Sequence, residues 1–208
     1  MRAPALALLL ALLPAPASAQ AVDLTRPDPR AVGLTEARLS IDVERREAGA
    51  VLGLEGLLSV VAGVIIAAVV HEDPFWLAFG IGTAGWGAVD AGLSIGMIDF
   101  GEGRRQAIER DRSRLRYDDV DRARDAAIRQ QGDAAAFFAF NAGLDVFYVA
   151  TGVLLFFLAD QLSGVDEPEL LRGYATAQMG QGGFLLLFDL IEWIASTDRA
   201  GRLARAVP

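Results

Sequence analysis

Apolar runs alternate with charged stretches along this chain. The first fills residues 48–70, the second follows Phe75 and ends near Ile98, the third is AAFFAFNAGLDVFYVATGVLLFFL, and the fourth fills about 173–195. At about 1.5 Å per helical residue, a run of this length matches a hydrocarbon core of roughly 30 Å. Each run carries polar residues at helical spacing. Glu55 and Ser59 lie one turn apart in the first, and Thr83, Trp86, Asp90 and Ser94 share an arc in the second. Asn141, Asp145 and Tyr148 share a narrow face in the third, with Phe138, Val149 and Phe156 read as pointing elsewhere. Gln178, Gln181, Asp189 and Glu192 share an arc in the fourth. Seams of this kind predict helices with one polar face turned inward and one apolar face turned to lipid.

The connections set the order of the elements. Residues 1–19 combine one Arg, a short apolar core, Pro14 and Pro16, and Ala17-Ser18-Ala19, the form of a secretory signal peptide cut before Gln20. Residues 20–47 are expected to hold an irregular lead-in over 20–33 and then a polar juxtamembrane helix from Thr35, its N-cap. Residues 48–98 form the first hairpin, turning at His71-Glu72-Asp73-Pro74, with Phe75 and Trp76 as interfacial anchors. Residues 99–132 are a charged loop read as a solvated helix with too few apolar positions for a core of its own, a partner-binding arm being the other reading. Residues 133–196 form the second hairpin, with 160–170 as its connection, and 197–208 a charged tail. The expected fold is all-α: a four-helix transmembrane bundle of two hairpins. Gly63-Val64-Ile65-Ile66 and Gly152-Val153-Leu154-Leu155 hint at an internal duplication with parallel halves. Gly49 and Gly53, with the many glycines of the second span, suit close helix contact.

Composition narrows the chemistry. The chain is 53% hydrophobic yet 22% charged, the mixture that apolar spans and charge-dense connections produce together. It has no cysteine, which removes disulfides and thiolate metal sites, and its one histidine, His71, leaves no multi-histidine centre. A net charge of −8 argues against a nucleic-acid partner. No Ser/His/Asp or Cys/His set is present, and the Glu-x-x-His ligands of four-helix carboxylate metal sites are missing, so the pattern points away from an enzyme.

What remains is a set of acids. Counted from the charged end of each span, Glu55, Asp90, Asp145 and Asp189 lie eight to twelve residues deep, roughly 12–18 Å from one face. No Arg lies within the spans to neutralise them, so in one layer they cannot all ionise and must hold protons or share a cation. Protonated carboxyls would make interhelical hydrogen bonds with Gln178, Gln181, Asn141, Tyr148 and Trp86. A cation or proton site, structural or transporting, is the alternative. No cofactor is expected beyond a cation held by those acids.

Residues 141–152 (Asn141 to Gly152) followed by 181–189 (Gln181 to Asp189) resemble an uncharacterised bacterial membrane-protein family with a signal sequence and four spans. The resemblance covers most of the mature chain and implies no activity. Members commonly carry Asn where this chain has Glu55 and Asp90, which leaves Asp145 and Asp189 as the stronger pair. The implied location is the bacterial inner membrane. Signal cleavage would put the 20–47, 99–132 and C-terminal regions outside the cytoplasm, whereas their 17 Arg argue the reverse by the positive-inside rule; the signal, acting first, is taken to prevail. Expected partners are the lipid bilayer and, through the glycine-rich second span, a second copy or another membrane protein.

Overall fold

The computed structural model describes residues 28–162 and 167–206, without the side chains of 117 and 118. The expected signal peptide and most of the lead-in lie outside the described residues. Within them the chain is all-helical, with no strand: α1 (Arg30–Val69), α2 (Pro74–Ile98), α3 (Gly103–Arg114), α4 (Tyr117–Leu158), a 3-10 turn (Ala159–Gln161) and α5 (Pro168–Arg205). Two helical stretches, α1 and 119–161, are long and apolar enough to cross a membrane.

Several boundaries differ from expectation. Helix α1 begins at Arg30, so Thr35 is not an N-cap; it lies inside the helix and its hydroxyl donates back to the Ala31 carbonyl at 2.7 Å. The charged 99–132 loop is two helices rather than one, broken at Leu115 and Arg116, both extended. The segment has no core of its own, but its Val120 is buried with Ala31, Leu34, Ile41 and Leu203 at the charged end of the bundle. Leu203 belongs to the expected tail, which is instead the last turns of α5. Sparse apolar positions that no single segment could bury are buried jointly by α1, α4 and α5, which is why linear counting missed them.

Glycine sets how closely α1 and α2 approach. A Cβ on Gly80 would stand 2.6 Å from the Gly63 carbonyl oxygen, and one on Gly87 2.5 Å from that of Gly56. The two backbones therefore touch at two levels, and no side chain fits between them. Gly49 and Gly53 also face α2, against Met97 and Ser94. The second hairpin repeats the device once, where Gly152 meets the Ala175 carbonyl and Met179 of α5. Gly63 and Gly152 each lie six residues before the last residue of their helix, Val69 and Leu158. The hairpins meet through α2 and α5, where Gly173 sits on the Phe75 carbonyl and Gly82 on the methyl group of Ala177. Helices α2 and α4 nowhere come into backbone proximity among the described residues, which leaves a gap between them. Asp73 starts α2 by accepting from the amides of Phe75 and Trp76, with Pro74 at the first helical position.

Ion pairs lace the charged end. Asp42 pairs with Arg46 at 2.9 Å and with Arg104 at 3.2 Å, and Arg104 also donates to the Met97 carbonyl at the end of α2. Glu44 of α1 receives Arg199 at 3.0 Å and Arg202 at 2.5 Å, both from α5. The Arg202 bond, then Arg199, hold the Glu44 carboxyl down from about 4.5 to about 2, against a smaller opposing effect of burial.

Two outcomes follow. Gly63→Ala and Gly80→Ala force backbones apart and should destabilise by about 1–3 kcal/mol each, whereas Gly85→Ala and Gly92→Ala, whose new methyl groups meet nothing within 4 Å, should be neutral or slightly stabilising; thermal melts in detergent compare the four. Because the Glu44 value is depressed on folding, its contribution is complete above about 4.5 and disappears as pH falls towards 2. The melting difference between the parent and Glu44→Gln should therefore be largest near neutral pH and shrink across that window.

Candidate functional site

The polar seams of α1, α2 and α5 converge on one side chain. The Gln181 amide nitrogen donates to both carboxyl oxygens of Glu55, at 3.1 and 3.0 Å, and to Asp90. Ser59, one turn along α1, donates to Glu55 at 2.6 Å. The second Asp90 oxygen is buried without a hydrogen bond among the described residues. One amide thus ties three helices together, and Asp90 is fully buried there. Asp145 of α4 and Asp189 of α5 are a second pair of acids, each buried to within a few per cent.

The expected set divides at this point. Glu55, Asp90 and Gln181 form one cluster, and Asp145 and Asp189, on neighbouring helices, are buried beside the cavity described below. Gln178 is buried but donates to the Tyr148 backbone carbonyl at 3.0 Å, not to an acid. Asn141, Tyr148 and Trp86 bond none of the carboxyls; Tyr148 and Trp86 instead meet ring edge to ring face, centroids 5.2 Å apart, across the α2–α4 gap. Glu192 leaves the acid set altogether, because Arg199, two turns along α5, binds it at 2.8 Å. Arg199 lies just beyond the expected span, so a count restricted to the span missed the cation that neutralises it. Phe138 does not point away from Asn141 and Asp145: it faces α5 with them and packs on Phe188. Val149 likewise faces α5, at Gly182.

Above the acid pair lies a cavity of about 650 Å³ between α2 and α4, backed by α5. Asp145, Asp189, Trp86 and Tyr148 line its floor, and its walls are apolar, among them Leu93, Met97, Phe137 and Leu185. Its far end carries Arg45, Gln130, Gln131 and Arg199. Several polar groups facing this space have no partner within the protein. One Asp145 oxygen and the Ser196 hydroxyl are buried without a hydrogen bond, and both residues line the cavity. Gln131 is 8% exposed and its amide joins no bond among the described residues. Arg45 is half-buried with no carboxylate in ion-pair range; burial, and then the nearby Arg104, pull its guanidinium below the usual arginine range.

Sequence reasoning named none of Arg45, Gln131 and Ser196. A signal existed for each: Gln131 is two heptads before Asp145, Ser196 one heptad after Asp189, and Arg45 one heptad before the buried Leu52. All three lie beyond or at the edge of the apolar runs, where polar residues are ordinarily solvated. Among the described residues, no three His, Cys, Asp or Glu side chains converge closely enough to hold a metal ion.

No curated protein and no solved structure matches the chain. A family model covers residues 51–190, the stretch that holds both acid pairs and Gln181 but neither Arg45 nor Arg199. That is about two thirds of the sequence, and the chain therefore belongs to a family of unknown function, DUF6992.

Proposed function

We propose that this chain is a four-span membrane protein with a structural or accessory role, whose two hairpins are fastened by buried, partly protonated carboxyls. The observation that carries this is the Gln181 amide bridging Glu55 and Asp90 across three helices. Two features support the setting. Large apolar side chains point outward from all four long helices, with Leu57, Ile81, Phe140 and Leu187 each at least 60% exposed, while Asp90, Asp145, Gln178, Gln181 and Asp189 are buried between them. Such an inverted distribution suits an apolar solvent and is unfavourable in water. The second feature is hydrogen-bond arithmetic. An ionised carboxylate can only accept, so Glu55 and Asp90, gathered on the one Gln181 amide, can bond each other only where one of them keeps a proton. One such proton relieves like-charge repulsion and leaves an interhelical bond of the kind worth about 1 kcal/mol in a membrane.

A second reading, proton handling, rests on the Asp145 oxygen that faces the cavity without a partner. Protons reaching the floor of the cavity could exchange there, and the acid pair would be the relay. The absence of any three-ligand convergence favours a proton over a metal cation in this role.

The structural role makes a specific forecast. Asn replaces a protonated carboxyl isosterically, so Asp145→Asn and Asp189→Asn should melt within about 2 °C of the parent. Gln181→Leu strips Asp90 of its donor and leaves Glu55 only that of Ser59, and should lower stability by about 1–2 kcal/mol. Thermal melts of the detergent-purified variants decide this; equal melting of Gln181→Leu and parent would remove the fastening role. If Asp145→Asn melts normally but abolishes proton flux into reconstituted vesicles, the relay is the function.

A further inference from the structure

We propose that the cavity between α2 and α4 binds a long-chain fatty acid taken from the bilayer, its carboxylate on Arg45 and its chain along the apolar walls. The inference rests on the membrane setting above, which supplies the ligand, and goes beyond the fastening role, which has no use for a cavity.

Shape selects one chain. On α4 the cavity runs from Gln131 to Tyr148, seventeen residues, or roughly 25 Å. An extended alkyl chain advances about 1.25 Å per bond from standard bond lengths and angles, so eighteen carbons span on the order of 20 Å. Such a chain displaces on the order of 500 Å³ if each methylene takes about the room of a water molecule. One fits in about 650 Å³ and two do not, which excludes a diacyl lipid held entire.

Charge selects the head and its direction. Arg45 is the cation at the cavity's end with no ion pair among the described residues, Asp42 and Glu192 acting on it only from beyond that range, whereas Arg199 is already engaged by Glu44 and Glu192. A half-buried guanidinium favours a carboxylate, which it grips through two parallel N–H bonds. Gln131, buried and unbonded, adds an amide at the same end. Asp133 stands exposed at the rim, where solvent screens its charge. At the opposite end Asp145 and Asp189 repel an anionic head, so the chain's methyl end points to the floor. Entry needs no opening motion, because no backbone of α4 approaches α2 and the wall residues Leu93 and Phe137 are more than half exposed on either side of the gap.

Trp86 on the floor reports occupancy. The full chain carrying Trp76→Phe and Trp193→Phe, in uncharged detergent, is titrated with 9,10-dibromostearate and with its methyl ester. The acid should quench Trp86 saturably, with an affinity about tenfold above the ester's, as expected for one charge-assisted hydrogen-bonded contact. Arg45→Gln should bring the acid down to the ester, and Arg45→Lys should restore part of the difference. Gly96 lines the cavity and its Cβ would meet nothing within 4 Å, so Gly96→Phe should melt like the parent yet lose quenching by both ligands. Equal quenching by acid and ester in the parent, indifference to Arg45→Gln, or unchanged quenching in Gly96→Phe would each overturn the proposal. A chain that stays soluble without detergent would overturn the membrane setting instead and leave this titration readable.

Discussion

An acid buried among apolar helices must be given a hydrogen bond, and most of this bundle is arranged to give one. Gln181 does so for Glu55 and Asp90 with the two protons of a single amide nitrogen. Desolvating an unpaired carboxylate costs several kcal/mol, so these bonds are worth less as attraction than as avoidance of that cost. They are directional as well. Outward-facing Leu and Phe pack almost equally well at many rotations, whereas Gln181 reaches both acids at only one rotation of α5 relative to α1 and α2.

The glycines make that geometry reachable. Backbone contact at Gly56, Gly63, Gly80 and Gly87 draws α1 against α2 so that Glu55 and Asp90 lie on adjoining faces, within the span of one glutamine. Close approach on this side has a counterpart on the other. With α2 committed to α1 and α5, nothing brings it to α4, and the unfilled gap becomes the cavity. The fastening network and the cavity are two results of one packing choice.

At the charged end a different physics applies. Ion pairs such as Asp42 with Arg46 and Arg104 are partly solvated and contribute modestly each. Together with the small core around Leu34, Val120 and Leu203 they hold the helix extensions against one another. That rigid collar fixes where Arg45 and Gln131 stand above the apolar walls. The Glu192–Arg199 pair joins collar to bundle, satisfying an acid near the span's end with a cation two turns further along the same helix.

The sequence by itself determined the local features: helical spans from run length, inward seams from periodicity, and the residues Glu55, Asp90, Asp145, Gln181 and Asp189 as the polar core. These depend only on spacing along one chain and on the penalty for exposing polar groups to an apolar surrounding, both readable in one dimension. Which acid meets which could not be read, because rotation and offset between helices follow from glycine contacts spread over two segments. Depth counting therefore gave the four acids without their partners, and Arg199, which binds Glu192, lay past the expected boundary. The collar core was illegible for the same reason, each of its residues being isolated in its own charged segment. The cavity was decided by tertiary structure alone, since an unfilled space belongs to no residue: it exists where α2 and α4 fail to meet, and only there do Arg45, Gln131 and Ser196 become neighbours of the acids.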